Sequence, residues 1–126
     1  MSAPPPFELG YARTELRRQL VAAVLAGEKT ATTGLWSEYE TEGETLGTSG
    51  DRFTLHDYDD EPVGIVEVTE VRLLAASEID VAFARDEGEG FESVDDWRVA
   101  HEEFFQQPIL PDTQIVATRF TLVEHL

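Results

Sequence analysis

The sequence predicts an α+β fold, with a curved mixed sheet or a small β-barrel flanked by helices. Apolar and polar side chains alternate in several segments, as in β-strands, and apolar residues recur at helical spacing in others. The helical segments do not alternate regularly with the strands, so no repeated βαβ unit is indicated. At 126 residues the chain is long enough for one hydrophobic core. We expect a flexible N-terminal arm over residues 1–11, mobile or docked, and a single domain over residues 12–126.

The first third of the chain predicts a helix, a strand and a loop. Residues 14–26 carry apolar side chains at helical spacing, and Thr14 can cap the helix while Gly27 can end it. The segment TATTGL is rich in β-branched residues, which favours a short strand. The polar segment WSEYETEGETLGTSGD is punctuated by glycines, which predicts a long loop with room for one helical turn.

The remaining strands are predicted by alternation. Residues 52–58 and 63–74 alternate apolar and polar side chains on either side of the turn DDEP, so they are expected to be two strands. Residues 113–126 show the same pattern after a proline-bounded loop, QQPILPD, and form the last strand.

Two late helices are predicted by a repeated capping pattern, in which an aspartate follows a serine by three residues. Ser77 with Asp80 is expected to open a helix that runs to about residue 85, and Ser93 with Asp96 to open another that runs to about residue 105. The apolar stripe of the second helix consists of Trp97, His101, Phe104 and Phe105. We interpret Trp97 and His101 as core residues rather than catalytic ones.

The composition limits the functions that the chain can have. It carries 26 acidic and 9 basic side chains, so the formal net charge is 9 − 26 = −17. Affinity for nucleic acid depends largely on basic side chains that displace counterions from phosphates, so tight binding to a polyanion requires a local basic patch. A nucleoside without phosphates meets no such penalty. Solubility or a salty host explains the acidity equally well.

Cysteine content and hydropathy indicate where in the cell the protein is expected to be. The absence of cysteine excludes disulfides and thiolate metal sites and fits a reducing compartment. No apolar run reaches the roughly 20 residues that a membrane span needs. The start, MSAPPPFELG, lacks the basic and apolar regions of a secretory signal. We expect a cytoplasmic protein without a membrane partner, metal or cofactor, since the three histidines also lack a metal-like spacing.

The segment LAGEKTATTG holds the only lysine, Lys29, whereas the other eight basic residues are arginine. A buried lysine can lose its proton and activate a neighbouring hydroxyl, which arginine cannot do. In a regular strand, Thr32 and Thr30 share one face while Lys29 shares the parity of Ala31. Lys29 can therefore join Thr32 only if it precedes the strand or a bulge intervenes. The alternatives are an ammonium that binds a phosphate or carbonyl, and a solvated lysine that complements the helix dipole.

Two motifs give the chain a resemblance to the ASCH domain family, whose fold is similar to that of PUA domains. The first is Gly27-x-Lys29-Thr30-x-Thr32, and the second is FARDEGEG…DWRVAHEEFF over residues 83–105. The resemblance extends over about residues 12–123 and is to the small bacterial ASCH proteins. It implies a barrel-like sheet with a cleft beside the lysine, and a nucleoside or RNA ligand.

The resemblance also implies roles for individual residues. Some ASCH proteins are amidohydrolases that deacetylate acetylcytidine with a Lys, Thr and Glu triad, which falls here on Lys29, Thr32 and Glu87. Other members are described as ribonucleases that act on single-stranded RNA. The expected ligand-binding residues are Gly27, Thr30, Trp36, Tyr39 and Arg98, with the two aromatic side chains able to stack on a base.

One departure from the family pattern concerns an arginine five residues after the lysine, where this chain has Gly34. Arg85, Arg98 or Arg119 would have to replace its guanidinium. The main hypothesis is a hydrolase of a modified nucleoside, in which Lys29 takes the proton of the attacking hydroxyl. The alternatives are a single-strand ribonuclease or non-catalytic RNA-binding module, and a small-ligand sensor without catalysis.

Overall fold

The sheet has four strands in the order β1-β4-β3-β2, and every neighbouring pair is antiparallel. This architecture comes from a computed structural model that describes residues 3–126. The strands are β1 (Ala31–Leu35), β2 (Arg52–His56), β3 (Pro62–Ala75) and β4 (Gln114–His125). The helices are α1 (Glu15–Leu25), α2 (Trp36–Glu42), α3 (Val81–Asp86) and α4 (Val94–Phe105). This curled half-barrel sheet with helices confirms the predicted α+β class, with antiparallel strands in place of a mixed sheet.

The long central pair, β3 and β4, carries irregularities that accompany the curl of the sheet. Their register shifts between Ile65 and Val66 and again between Val68 and Glu70. An extra residue in one strand bends that strand and increases its local twist. Two separate hydrophobic clusters fill the two sides of this curled sheet.

The first cluster packs α3 and α4 against β1 and β4, and it includes Trp97, Phe83, Leu35 and Ile115. The second cluster packs α1 and the N-terminal segment against β2, β3 and β4, and it includes Leu9, Val24, Leu55, Val66 and Phe120. Helix α1 packs in the second cluster and β1 packs in the first, and residues 26–30 form the junction between them. Lys29 lies at that junction.

Residues 3–11 lie beside β2. The amide of Phe7 donates to the Thr54 carbonyl at 2.8 Å, and the amide of Thr54 donates to the Pro5 carbonyl at 2.7 Å. Leu9 is buried in the second cluster. The expected arm also covers Met1 and Ser2, which lie outside the described residues, and its boundary at residue 11 stays a prediction.

Most predicted elements are confirmed, because their signals are local. The Thr14 hydroxyl caps α1 by accepting from the amide of Arg17, and the Ser93 hydroxyl caps α4 by accepting from the amide of Asp96. The predicted loop after β1 instead begins with a helix of seven residues, α2, which ends at Gly43 in the left-handed region. The helix predicted to start at Ser77 was placed too early.

The early start fails because two short elements replace one helix. Residues 76–78 form a 3₁₀ turn, and Ile79 then has an extended backbone with φ −71° and ψ 129°. Asp80 is the real cap of α3, since its side chain accepts from the amide of Phe83 at 2.9 Å. Within the described residues, no helix is long and apolar enough to cross a membrane.

Candidate functional site

A cavity of about 380 Å³ opens between α4 on one side and α1 with the N-terminal segment on the other. Its volume falls within the range of small-molecule sites. One wall is apolar and is formed by Leu9, Leu16, Leu20, Phe91, Ala100 and Phe104. The polar side chains at the cavity are Glu8, Lys29, Thr32, Thr33, Glu87, Glu89, His101 and Glu103. We call this space the Lys29 cavity.

Lys29 is 2% exposed although it carries an ammonium group. Helix α1 ends at Leu25 with Ala26 as its C-cap, and Gly27 follows with φ +78°, so the chain turns back before β1 begins at Ala31. The amide of Lys29 donates to the Ala23 carbonyl at 3.1 Å, which fixes the backbone in this turn. Lys29 therefore precedes the regular strand, which is the condition that strand parity imposes for it to approach Thr32.

All four contacts of the Lys29 Nζ atom are to oxygen. It donates to the carbonyl oxygens of Ala31 at 2.9 Å and Glu87 at 3.2 Å. The carboxylate of Glu89 lies 3.4 Å away and that of Glu87 lies 3.7 Å away. An ammonium has three protons to donate and no acceptor, so these oxygen atoms can accept all of its hydrogen bonds. The two carboxylates offset the cost of burying that charge.

The loop that carries Glu87 docks directly on the turn that carries Lys29. The amide of Thr30 donates to the Asp86 carbonyl at 2.7 Å. Gly88 has φ +70°, and a Cβ atom there would lie 2.6 Å from the Glu28 carbonyl oxygen and 2.7 Å from the Lys29 Cα atom. Such distances are shorter than any real contact, so only glycine permits this approach.

Glu87 is 1% exposed, and three side chains hold its carboxylate. The Thr33 hydroxyl donates to Oε2 at 3.0 Å, while Oε1 faces His101 Nε2 at 3.3 Å and Lys29 Nζ at 3.7 Å. Trp97 Nε1 donates in turn to the Thr33 hydroxyl at 3.1 Å. The Thr33 hydroxyl therefore has both a donor and an acceptor and serves to orient Glu87.

The structure brings Lys29, Thr32 and Glu87 to one cavity but does not bond Thr32 to Glu87. Thr33, the next residue, makes that bond. Thr32 lines the cavity, and its hydroxyl makes no hydrogen bond to another described side chain. Strand parity favours Thr33, because Lys29, Ala31 and Thr33 have the same parity, whereas the resemblance assigned the role to Thr32.

His101 is the second residue that the sequence analysis missed. It is buried, as expected of a core residue, but it also lines the cavity and contacts Glu87. Burial by itself lowers the pKa of His101, but the hydrogen bond and charge of Glu87 raise it. The Trp97 carbonyl and the charge of Glu89 act in the same direction, and the net effect is a pKa above the ordinary value of 6.5.

Glu87, Glu89 and His101 could be taken for metal ligands, since one ligand atom from each lies within 4.8 Å of the others. The Lys29 ammonium, however, lies 3.4 Å from Glu89 and 3.7 Å from Glu87 and already supplies a positive charge to these groups. A metal ion would have to share the site with that ammonium, so we assign no metal site to these residues.

The five expected ligand-binding residues are placed differently from the triad. Gly27 and Thr30 flank Lys29 in the chain but are not among the cavity-lining residues. Trp36 and Tyr39 stack on each other in α2, with ring centroids 6.1 Å apart, and neither lines the cavity. Arg98 pairs with Glu102 at 2.8 Å and Asp95 at 3.4 Å on the surface of α4.

The position of the missing family arginine is covered by an aromatic ring. A Cβ atom at Gly34 would lie 3.1 Å from the Tyr39 ring, so the absence of a side chain there gives Tyr39 its place. Of the arginines considered as replacements, Arg119 pairs with Asp86 at 2.7 Å, next to Glu87 in the chain. Among the described residues that line the Lys29 cavity there is no arginine.

Comparison with known proteins places this geometry in a family. The family model of the ASCH domain matches residues 9–124. A solved structure of a protein from Enterococcus faecalis has 27% identity and a TM-score of 0.86, and the match covers 99% of this chain and 79% of that one. A solved ASCH domain from Lactobacillus crispatus has 29% identity and a TM-score of 0.75, and the match covers 84% of this chain and 71% of that one.

A third solved structure is more distant. A hypothetical protein with 16% identity has a TM-score of 0.56, and the match covers 82% of this chain and 90% of that one, which shows a likeness of fold alone. No curated protein matches the sequence.

Proposed function

Because this chain belongs to the ASCH domain family, we propose that the Lys29 cavity binds a nucleoside or RNA and that the protein hydrolyses a modified nucleoside such as acetylcytidine. ASCH domains are PUA-like and are associated with RNA binding. The observation that carries the proposal is the meeting of Lys29, Thr32 and Glu87 at one cavity. Lys29 and Glu87 come together across 58 residues of chain.

The proposed roles follow from which groups are free and which are bound. Thr32 attacks the amide carbonyl, because Thr32 lines the cavity and its hydroxyl has no described side-chain partner, whereas the hydroxyl of Thr33 is bonded to Glu87 and Trp97. Lys29 accepts the proton of Thr32, for which its side chain must first be a neutral amine. The Lys29 ammonium loses a proton to solvent through Glu89, which is the more exposed carboxylate, with its side chain 25% exposed.

Glu87 protonates the nitrogen of the leaving amine as the carbon–nitrogen bond breaks. Water then attacks the acyl group on Thr32 and gives its proton to Glu87, while Lys29 returns a proton to the Thr32 oxygen. The sum of the two steps is the addition of one water molecule across the amide bond. These steps require that Glu87 carry a proton before the amine leaves.

The charge of the cavity favours a ligand with few phosphates. Four glutamates line the cavity against one lysine, and the positive charge of that lysine is neutralised by the nearest two. A phosphate at this site would meet unpaired carboxylates without a guanidinium to bind it. A single modified nucleoside therefore suits the cavity better than an RNA chain.

One observation favours a second candidate function, a small-ligand sensor without catalysis. Nζ of Lys29 is surrounded by four oxygen atoms, which is also the arrangement of a structural ion pair. A sensor would be stabilised by its ligand but would form no product. A single-strand ribonuclease, or an RNA-binding module, is the remaining alternative and predicts binding that weakens steeply with salt.

The test is turnover of acetylcytidine by the wild-type protein and by two threonine variants. We expect deacetylation by the wild type. In Thr32→Ala kcat should fall by at least about 100-fold, because the variant lacks the attacking hydroxyl. Thr118→Ala is the matched control, because Thr118 lies opposite Thr32 on β4 but does not line the cavity.

The outcomes separate the candidates. No turnover together with stabilisation by acetylcytidine would favour the sensor. No turnover, no stabilisation and salt-dependent binding of single-stranded RNA would favour the RNA-binding alternative. Equal activity of the wild type and Thr32→Ala would exclude Thr32 as the nucleophile.

A further inference from the structure

Two ionisable side chains, Lys29 and His101, lie against the Glu87 carboxylate, and the proposed steps assign no role to His101. It is 8% exposed and lies on α4, one turn after Trp97. Its ring is enclosed by the rings of Trp97, Phe91 and Phe105, with centroids at 5.0, 5.8 and 6.0 Å. The ring therefore has one orientation, and each of its nitrogen atoms faces a defined partner.

The partners of the two ring nitrogens determine how many protons His101 and Glu87 hold together. Nδ1 lies 2.7 Å from the Trp97 carbonyl oxygen, which can only accept, so Nδ1 carries a proton. Nε2 lies 3.3 Å from Oε1 of Glu87. Either Nε2 donates to a carboxylate, or a protonated Glu87 donates to Nε2. In both states one proton lies between His101 and Glu87.

The surroundings retain that proton. The other charged and titratable groups that line the same cavity are Glu8, Lys29, Glu89 and Glu103. Three of these four are acidic, and Glu89 and Glu87 both raise the pKa of His101 above its ordinary value against the opposing effect of burial. Lys29, at 3.7 Å from Glu87, acts in the other direction on the shared proton by favouring the carboxylate.

We propose that His101 is a positioning residue which, paired with Glu87, stores the proton that Glu87 donates to the leaving amine. That the leaving amine receives this proton rests on the proposed function, whereas the sharing of the proton between His101 and Glu87 does not. As the carbon–nitrogen bond breaks, the proton passes from Glu87 to the amine nitrogen, and His101 remains as neutral imidazole with its proton on Nδ1. The water molecule that hydrolyses the acyl-Thr32 bond restores the proton to the pair.

Nitrogen-15 NMR of histidine tests the shared proton without any activity measurement. We expect the ring of His101 to titrate with a midpoint above the ordinary value of about 6.5, and that midpoint to fall in Glu87→Gln, which has the same shape without the charge. The signal that disappears in His101→Gln identifies His101 among the three histidines. An unchanged midpoint in Glu87→Gln would overturn the proposal, and so would a wild-type midpoint at or below about 6.5.

The pH profile of acetylcytidine turnover tests the destination of the proton. In the wild type we expect kcat to fall at alkaline pH as the pair loses its proton. His101→Gln should lower kcat by about 10- to 100-fold, leave KM within about 2-fold and remove the fall of kcat at alkaline pH. The reason is that Glu87 would lack the residue that shares its proton. His125→Gln should behave as the wild type.

A purely structural role would give a different result. His101→Gln would then lower the melting temperature but keep the alkaline limb at the same pH, and this would overturn the proposal. If the wild type does not act on acetylcytidine, the proposed function fails, and the NMR titration alone decides whether His101 and Glu87 share a proton.

Discussion

Within residues 3–126 the side chains of two basic residues, Arg17 and Lys29, are buried as cations, and they are bound in opposite ways. Arg17 is 5% exposed and donates mainly to backbone carbonyls, those of Leu9 at 2.7 Å and Gly10 at 3.1 Å. The carboxylate nearest to it belongs to Asp60, which is 62% exposed and lies 3.6 Å away. Lys29 is instead held against Glu87, whose side chain is 1% exposed and cannot be solvated by water.

This difference shows why one buried cation is structural and the other is a candidate for chemistry. The guanidinium of Arg17 ties the N-terminal segment and the turn before β3 to α1, and it cannot lose its proton. The ammonium of Lys29 shares a network with Glu87 and His101, both of which can exchange protons at the cavity. The predictions below separate the two cations by stability and by activity.

The largest effect is expected for Lys29→Met, which removes the cation but keeps much of the side-chain length. Glu87 would then be buried beside Glu89 without the ammonium, and breaking a buried pair in this way costs about 3–5 kcal/mol. Urea denaturation measures this loss. Activity on acetylcytidine should disappear as well. A variant with wild-type stability would show that the Lys29 pair contributes no net stability.

The next effect is expected for Gly88→Ala, which tests the docking of the loop rather than the charge. The new Cβ atom would overlap the Glu28 carbonyl at 2.6 Å, and the backbone would be strained at φ +70°. We expect a loss of about 2–4 kcal/mol from overpacking and strain together. Gly90→Ala is the matched control, since Gly90 also has a positive φ but nothing lies within 4 Å.

If the loop holds Glu87 in place, Gly88→Ala should also lower kcat, measured with acetylcytidine at a pH where the variant is folded. The loss in Gly90→Ala should be confined to the strain at φ +84°. Equal destabilisation of the two variants would contradict the role that we assign to the close contact at Gly88.

A smaller effect is expected for Arg17→Met. Its loss leaves the carbonyls of Leu9 and Gly10 without a donor, which costs about 1–3 kcal/mol for a buried group. Activity should be retained at temperatures where the variant is folded, because Arg17 does not line the Lys29 cavity. Arg98→Met is the control for a surface ion pair and should cost less than about 1 kcal/mol. Loss of activity in a folded Arg17→Met protein would contradict the structural role.

The smallest effect is expected from pH, because it concerns one proton. The pKa of His101 is higher in the folded protein than its unfolded value of about 6.5. Its contribution to stability is therefore complete below about pH 6.5 and is lost as the pH rises through the folded pKa. Unfolding free energies from urea denaturation at several pH values measure this loss. The loss should be absent in His101→Gln and present in Arg17→Met, and the opposite pattern would contradict the assignment.

The parts of the fold that were predicted correctly depend on residues close together in the chain. Thr14 and Ser93 cap their helices through amides three residues away, and the period of apolar residues marks α1, α4 and the long strands. The solitary Lys29 was singled out by its residue type, and the resemblance added Thr32 and Glu87. Their catalytic roles stay predictions, although all three line one cavity.

The parts that were missed depend on contacts that no local pattern encodes. Thr33 rather than Thr32 orients Glu87, and His101 faces Glu87 from a helix that looked like ordinary core. Trp36 and Tyr39 could be identified as stacking residues, but they stack on each other outside the cavity. The hydrogen bonds of this cluster connect residues that are 54–64 positions apart in the chain.

The sequence by itself determined the α+β class, the helix caps, the acidity and the presence of one lysine before a strand of threonines. The tertiary structure decided which threonine bonds to Glu87, that His101 belongs to the cluster, and that Arg17 is structural. The physical reason is that caps and periodicity arise within a few residues. The cluster exists only because a glycine at position 88 lets the loop of Glu87 contact the backbone of Lys29, while α4 packs over both.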